Sequence, residues 1–279
     1  MVAAVVTAES APVAFIDIEV GGRPQRIEHR WLGQERQGAP LAVFLHEGLG
    51  SLAMWRDFPA RVCDAAGCRG LVWSRAGYGR SLPSARAERW SPDYMHREAT
   101  DVLPALLAAL DPAPTGPTVL VGHSDGGSIA LLFAARFPSR VAALAVLAPH
   151  IRVEDLSIAS IEAARAAWST TDLPRRLARH HDDAEAVFRR WNDIWLAPAF
   201  RSWSIEAELD AIGCPVLAIQ GLDDEYGTLA QIRGIAARVA ATTLLELPAC
   251  GHSAHRDQPD ATVAAVAGLL RDVAGKPGV

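Results

Sequence analysis

The chain has 279 residues, which is the size of one large α/β domain or of one domain that carries an insertion. Half of its residues are hydrophobic and 21% are charged, so it can bury a sizeable core and is not disordered overall. The formal net charge is −5, and Lys276 is the only lysine. This balance argues against a nucleic-acid partner and against a polybasic contact with a membrane surface.

No segment is typical of targeting or of membrane insertion. Residues 1–10 lack a basic start and include Glu9, so we do not expect a signal peptide, and no run approaches the roughly 18–20 apolar residues of a membrane span. No two cysteines form a CxxC pair, which favours free thiols in a reducing compartment over disulfides. The cysteines are Cys63, Cys68, Cys214 and Cys250. We therefore expect a cytoplasmic protein, and the sequence leaves open a monomer or a homodimer.

Short apolar runs alternate with longer amphipathic segments, which is typical of a mostly parallel sheet flanked by helices. The predicted strands are residues 15–20, 26–32, 41–45, 71–74, 118–122, 141–147, 215–220 and 243–247, and the first two form a hairpin around Gly21 and Gly22. The predicted helices are residues 95–110, 126–137 and 260–273.

The alternation stops after the sixth predicted strand. Residues 151–208 contain amphipathic helical segments rich in arginine, alanine and tryptophan, and no strand pattern. We therefore predict a helical cap at residues 151–208, inserted between a first part of the core at residues 1–150 and a second part at residues 209–279.

The pentapeptide from Gly122 to Gly126 matches G-x-S-x-G between a predicted strand and a predicted helix. A serine at such a corner exposes its hydroxyl above the sheet edge, so Ser124 is the candidate nucleophile. Glycines fit two residues to either side because the backbone is crowded there. The flanking strand and helix make this signal much more specific than the five letters alone.

A serine hydroxyl needs a base, and the base needs an orienting acid. His252 follows the last predicted strand, and Asp223 and Asp224 follow the strand before it. The chain order is therefore Ser, Asp, His, one of the orders that a triad can take. His255 is a rival for the base, although a satisfied surface histidine is its more ordinary role.

These motifs resemble the α/β-hydrolase superfamily, and in particular its lidded group of carboxylesterases and meta-cleavage-product C–C hydrolases. The resemblance spans nearly the whole chain and rests on GHSDGG together with HEGLGS, GYGRS, GLDD and GHS, which lie at residues 122–127, 46–51, 77–81, 221–224 and 251–253. It implies an eight-stranded, mostly parallel sheet. It also favours Asp224 over Asp223, because the family's acid usually stands three positions after the glycine of its turn.

The resemblance further implies an oxyanion hole formed by the backbone N–H groups of Asp125 and Gly48. Glu47 stands where the family usually has a glycine. Its side chain either faces solvent or reaches into the site as a polar contact, and the sequence leaves both alternatives open.

The cap would cover the site, so its aromatic side chains are candidates for substrate contact. They either hold the cap on the core or line an apolar acyl or aryl pocket, and His150 is a further candidate at the entry to the cap. The tryptophans that we single out are Trp168, Trp191 and Trp195. The basic run at residues 175–181 could meet a phosphorylated or CoA-type substrate, although a solvated helix face is the simpler interpretation.

The sequence therefore predicts a serine hydrolase that cleaves a small to medium carboxylic ester through an acyl-enzyme. The alternatives are an acyl-CoA thioesterase, a lactonase, a C–C bond hydrolase, or, in another class, a ligand-binding receptor that keeps the triad with little turnover. We expect a small-molecule partner with an apolar acyl or aryl part. We predict no metal, no organic cofactor, no nucleic acid and no membrane partner.

Overall fold

The computed structural model describes residues 12–84, 86, 89–111 and 114–275. Its centre is one eight-stranded sheet with the order β1-β2-β4-β3-β5-β6-β7-β8. The strands are β1 Ala14–Val20, β2 Arg23–Leu32, β3 Leu41–Leu45, β4 Arg69–Trp73, β5 Thr118–His123, β6 Ala143–Leu147, β7 Val216–Gly221 and β8 Thr242–Leu247. The prediction for residues 1–10 and the position of Lys276 lie outside the described residues.

Strand β2 is antiparallel to both of its neighbours, and all other pairs in the sheet are parallel. The opening hairpin turns at Gly21 and Gly22, whose φ angles of 58° and 74° suit glycine. Because the turn has only these two residues, pairing starts at once with Val20 opposite Arg23, and β2 is three residues longer at its start than predicted. The mostly parallel eight-stranded sheet is confirmed.

Helices cover both faces of the sheet. They are α1 Phe58–Ala66, α2 Tyr94–Arg97, α3 Leu103–Leu110, α4 Asp125–Arg136, α5 Asp155–Thr170, α6 Leu173–Leu177, α7 Ala184–Trp195, α8 Ala230–Arg238, α9 Ala254–Asp257 and α10 Pro259–Ala274. Helices α1 and α10 pack together on one face, and α3, α4 and α8 lie on the other. A π-helical turn at Glu98–Val102 joins α2 to α3, so the predicted helix at residues 95–110 forms in three pieces.

Helices α5, α6 and α7 lie between β6 and β7 in the chain, within the segment for which we predicted only helices. Side chains of α7 such as Trp191, Ile194 and Trp195 belong to the same buried cluster as Leu45 and Leu120 of the sheet. Burial of such large apolar side chains stabilises this contact between the inserted helices and the sheet layer. None of the described helices is both long enough and apolar enough to cross a membrane.

Candidate active site

Ser124 occupies a sharp turn between β5 and α4. Its φ and ψ angles are 53° and −120°, a left-handed conformation that costs free energy for any residue with a side chain. A Cβ atom on Gly122 would lie 2.3 Å from the carbonyl oxygen of Gly126, and one on Gly126 would lie 2.0 Å from that of Leu45. Both positions therefore require glycine, which explains the G-x-S-x-G pattern in steric terms.

The structure brings His252 and Asp224 into direct contact at the carboxyl ends of β7 and β8. Nδ1 of His252 lies 2.9 Å from Oδ1 of Asp224. That carboxylate also accepts hydrogen bonds from the backbone N–H of Tyr226 and from the side-chain amide of Gln220, at 2.9 and 3.0 Å. These bonds hold the carboxylate in place. Because Nδ1 of His252 faces Asp224, Nε2 is the nitrogen of the imidazole that remains for proton transfer.

The two partners stabilise each other's charged forms. Burial alone would raise the pKa of Asp224, but the hydrogen bond with His252 and the charge of that ring outweigh burial and lower it. Burial likewise opposes a charged His252, yet the hydrogen bond to Asp224 and the charge of that carboxylate, followed by the charge of Glu225, raise the pKa of the imidazole. An imidazole arranged in this way is suited to accept a proton.

The two alternative candidates, Asp223 and His255, take no part in this hydrogen-bonded pair. Asp223 is exposed, and its backbone N–H donates to the carbonyl oxygen of Cys250. His255 is buried against the rings of Trp55 and Phe58, and neither of its ring nitrogens has a hydrogen-bond partner. It is therefore His252, and not His255, that meets the acid.

The loop that carries His252 is attached to the serine turn through His123. Nε2–H of His123 donates to the carbonyl oxygen of His252 over 2.9 Å, and the two rings are 5.0 Å apart. Within the described part of the chain, the hydroxyl of Ser124 makes no hydrogen bond to His252. Such contacts are often long before substrate binds, and they tighten in the complex.

The loop between β3 and α1 lies next to the serine turn. A Cβ atom on Gly48 would be 2.3 Å from Nε1 of Trp191 and 3.3 Å from a carboxylate oxygen of Asp125. Any side chain at this position would force the loop or the indole to move, because the backbone of Gly48 lies directly under Trp191 of α7. Asp125 is the first residue of α4, where backbone N–H groups have no acceptor within the helix.

The side chain of Glu47 turns into the protein. Its carboxylate lies 3.5 Å from Nδ1 of His123 and 3.6 Å from a guanidinium nitrogen of Arg256. Burial alone would raise the pKa of Glu47, but the contact with His123 and the charge of Arg256 hold it well below its ordinary value. Of the two orientations that the sequence leaves open, the structure has the inward one.

A buried polar cluster surrounds the side chain of Asp125. Tyr94 donates its hydroxyl to this carboxylate over 2.7 Å, and a guanidinium nitrogen of Arg75 lies 3.8 Å away. Burial raises the pKa of Asp125, against the opposing charge of Arg75. Sequence reasoning missed Tyr94 and Arg75 as neighbours of the serine turn because they lie 31 and 50 residues before Asp125 and share no motif with it.

The remaining predicted contact residues are divided between the site and the inserted helices. The ring of His150 lies 6.0 Å from that of His252 and 4.8 Å from that of Trp195, and burial followed by the charge of His252 lowers the pKa of His150 to about 3. Trp191 covers Gly48, as described above. Trp168 instead stacks on Phe188 at 4.2 Å, between α5 and α7.

Comparison with known proteins identifies the family of this chain. The model of the alpha/beta hydrolase family matches residues 42–266, and the chain belongs to that family. A Variovorax paradoxus protein assigned as a carbamate hydrolase is 29% identical over 235 residues, which cover 76% of this chain and 85% of that protein.

Solved structures share the fold. An esterase from Thermogutta terrifontis superposes with a TM-score of 0.68 at 21% identity, covering 93% of this chain and 99% of the esterase. A meta-cleavage product hydrolase from Pseudomonas fluorescens superposes with a TM-score of 0.66 at 17% identity, covering 92% and 97%. At these identities the likeness concerns the fold alone.

Proposed function

We propose that this protein is a serine hydrolase that cleaves small to medium carboxylic esters through an acyl-enzyme. The observation that carries the proposal is the hydrogen-bonded pair of His252 and Asp224, which is attached through His123 to the strained turn of Ser124. The strain supports a functional role because a left-handed serine costs free energy that a simple connection would not need.

In the first half of the reaction, Oγ of Ser124 attacks the acyl carbon and its proton passes to Nε2 of His252. Asp224 keeps the imidazole oriented and stabilises the imidazolium. The backbone N–H groups of Asp125 and Gly48 receive the developing oxyanion, and each such donor is worth about 2.7–4 kcal/mol of barrier lowering. The alcohol then leaves with the proton from His252.

In the second half, a water molecule attacks the acyl-enzyme while His252 accepts its proton. The acid leaves as the proton returns to Oγ of Ser124. His150 cannot share this proton under ordinary conditions, because its pKa of about 3 keeps its ring neutral. In this scheme, every proton of the cycle passes through Nε2 of His252.

The substrate class follows from the residues beside the serine. Trp191 and Trp195 are large apolar surfaces next to Gly48 and His150, which supports an acyl or aryl group as the part of the substrate held there. Carbamates are the second class to examine, since the Variovorax relative is assigned to them and they present the same carbonyl chemistry.

The test is multiple turnover on p-nitrophenyl esters of increasing acyl length, beside thioesters, lactones, carbamates and a vinylogous diketone. We expect an initial burst of p-nitrophenol followed by steady turnover, with esters the best substrates. Steady turnover on thioesters alone, or on diketones alone, would show that the protein cleaves that bond and not the ester. Ligand binding without turnover on any substrate would favour a receptor over an enzyme.

A further inference from the structure

A cleft outside the candidate active site is lined by four arginines together with three carboxylates. It has a volume of about 700 Å³ and lies between residues 178–182, which follow α6, and the core segments around Ala53 and Arg80. We name it the basic cleft. Its basic lining residues are four arginines and two histidines, namely Arg30, Arg56, Arg80, Arg179, His180 and His181.

The guanidinium groups of the basic cleft are unpaired among the described residues. Within the described part of the chain, none of the four arginine side chains makes a hydrogen bond or an ion pair, and Nε of Arg30 is fully buried without an acceptor. Arg233, by contrast, pairs with Glu246 at 2.8 Å. Arg56, Arg80 and Arg179 are exposed, so water solvates their donors and an anion can reach them, whereas the buried Nε of Arg30 lacks an acceptor at a cost in free energy.

Among the described residues no carboxylate forms an ion pair with these arginines, and four arginines against three carboxylates leave the lining with an excess of one positive charge. The lining includes three carboxylates, of which Glu28 already accepts from the hydroxyl of Ser74 and from the backbone N–H of Arg80, while Asp57 and Asp182 are exposed. Burial, followed by the charges of Arg256, Arg179 and Arg56, lowers the pKa of His180. Burial is the main cause of this shift, and the three arginine charges act in the same direction.

Two hydrogen bonds of His181 join the segment after α6 to the core at the basic cleft. Nδ1 of His181 accepts from the backbone N–H of Gly79 at 3.0 Å, and its Nε2–H donates to the carbonyl oxygen of Leu49 at 2.9 Å. Arg56, on the core side, has a left-handed backbone with φ of 55°. A glycine would relieve this strain, so the arginine side chain is retained at a cost in stability.

We propose that the basic cleft binds a phosphoryl group, either as free phosphate or as the end of an organic molecule, between Arg179 and the core arginines Arg56 and Arg80. Planar guanidinium groups match the oxygens of phosphate with two parallel hydrogen bonds each, which makes phosphate a better fit than a halide. The volume exceeds that of one ion and falls within the range of small-molecule sites, so it also has space for an organic carrier.

The experiment is calorimetric titration of the full chain with inorganic phosphate and with phenyl phosphate, at constant ionic strength and at a pH at which both are dianions. We expect saturable binding that weakens about tenfold or more in Arg179→Gln and in Arg56→Gly. The matched control is Arg175→Gln, on α6 but outside the lining, which should bind as the parent does. Because Arg56→Gly relieves backbone strain, it should unfold at or above the parent's temperature, which separates lost binding from lost folding.

The two probes separate the two sources of the phosphoryl group. Tighter binding of phenyl phosphate would support an organic carrier, and equal or weaker binding would support the free anion. Absence of saturable binding for both probes, or an equal loss in Arg175→Gln, would overturn the proposal. The readout involves no turnover, so it is independent of whether the protein hydrolyses esters.

Discussion

The carboxylate of Glu47 lies 3.5 Å from Nδ1 of His123, whose opposite nitrogen donates to the carbonyl oxygen of His252. The same carboxylate lies 3.6 Å from Arg256 on α9. One buried side chain of the β3–α1 loop therefore contacts both the serine turn and the helix that follows the candidate base. The charge of Glu47 also contributes to the raised pKa of His252.

Substitution Glu47→Gln should move the acidic limb of the kcat/KM profile to lower pH. The base must be neutral to accept a proton, so this limb follows the pKa of His252, and removal of a nearby negative charge lowers that pKa. The measurement is the pH dependence of ester turnover. Glu246→Gln, at a partly exposed residue paired with Arg233, is the control, and identical limbs for both variants would refute a role for Glu47.

Substitution Asp224→Asn should reduce kcat by roughly 10⁴-fold, as loss of the orienting carboxylate does in other triads. The amide would no longer hold the tautomer or stabilise the imidazolium at Nδ1 of His252. Asp223→Asn provides the matched control because its side chain is adjacent in sequence but exposed. Comparable losses in the two variants would show that the acid has been misassigned.

Substitution Gly48→Ala should reduce kcat by about 10²–10³-fold, the usual cost of one lost oxyanion donor. The new methyl group would lie 2.3 Å from Nε1 of Trp191, so either the loop or the indole must move. Gly213→Ala, where a Cβ atom would meet nothing within 4 Å, is the control for the added methyl group. Parental kcat in a Gly48→Ala protein whose loop has moved would show that the N–H of residue 48 is not an oxyanion donor.

Stability should fall as the pH drops below about 6.5, the ordinary pKa of histidine. Burial lowers the pKa values of His46, His150 and His255 in the folded protein. Between the folded and unfolded pKa values, the unfolded chain binds more protons, so each histidine removes about 1.4 kcal/mol of stability per pH unit. The contribution of these three residues to the free energy of unfolding is therefore fully present above the unfolded pKa and is lost as the pH falls toward the folded values.

Urea unfolding at neutral pH and near pH 5 measures this slope. His255→Phe should make it shallower, because that ring packs on Trp55 and Phe58 and has no hydrogen bond to lose. An unchanged slope would show that His255 is protonated in the folded protein as readily as in the unfolded chain.

The sequence predicted those features whose signal is local. Ser124 was recognisable because two glycines and a strand-to-helix change lie within a few residues of it, and the sheet was predictable from short apolar runs such as β3. Helices α1 and α8 were missed, since each has only nine residues and too few turns to show periodicity.

Features that depend on distant residues could not be predicted. The inward orientation of Glu47 depends on His123 and Arg256, which lie 76 and 209 positions further along the chain. The contact between Gly48 and Trp191 likewise joins a core loop to an inserted helix, and no spacing rule relates the two. Only the folded chain shows these neighbours.

The most direct test of the central claim is covalent labelling by a fluorophosphonate, followed by intact mass and peptide mapping. The account predicts one adduct per chain, on the peptide that contains Ser124, and no adduct in Ser124→Ala. Labelling should also slow in Asp224→Asn, because the nucleophile depends on His252 and its acid. A folded parent protein that remains unlabelled, or an adduct that persists in Ser124→Ala, would contradict the assignment of Ser124 as the nucleophile.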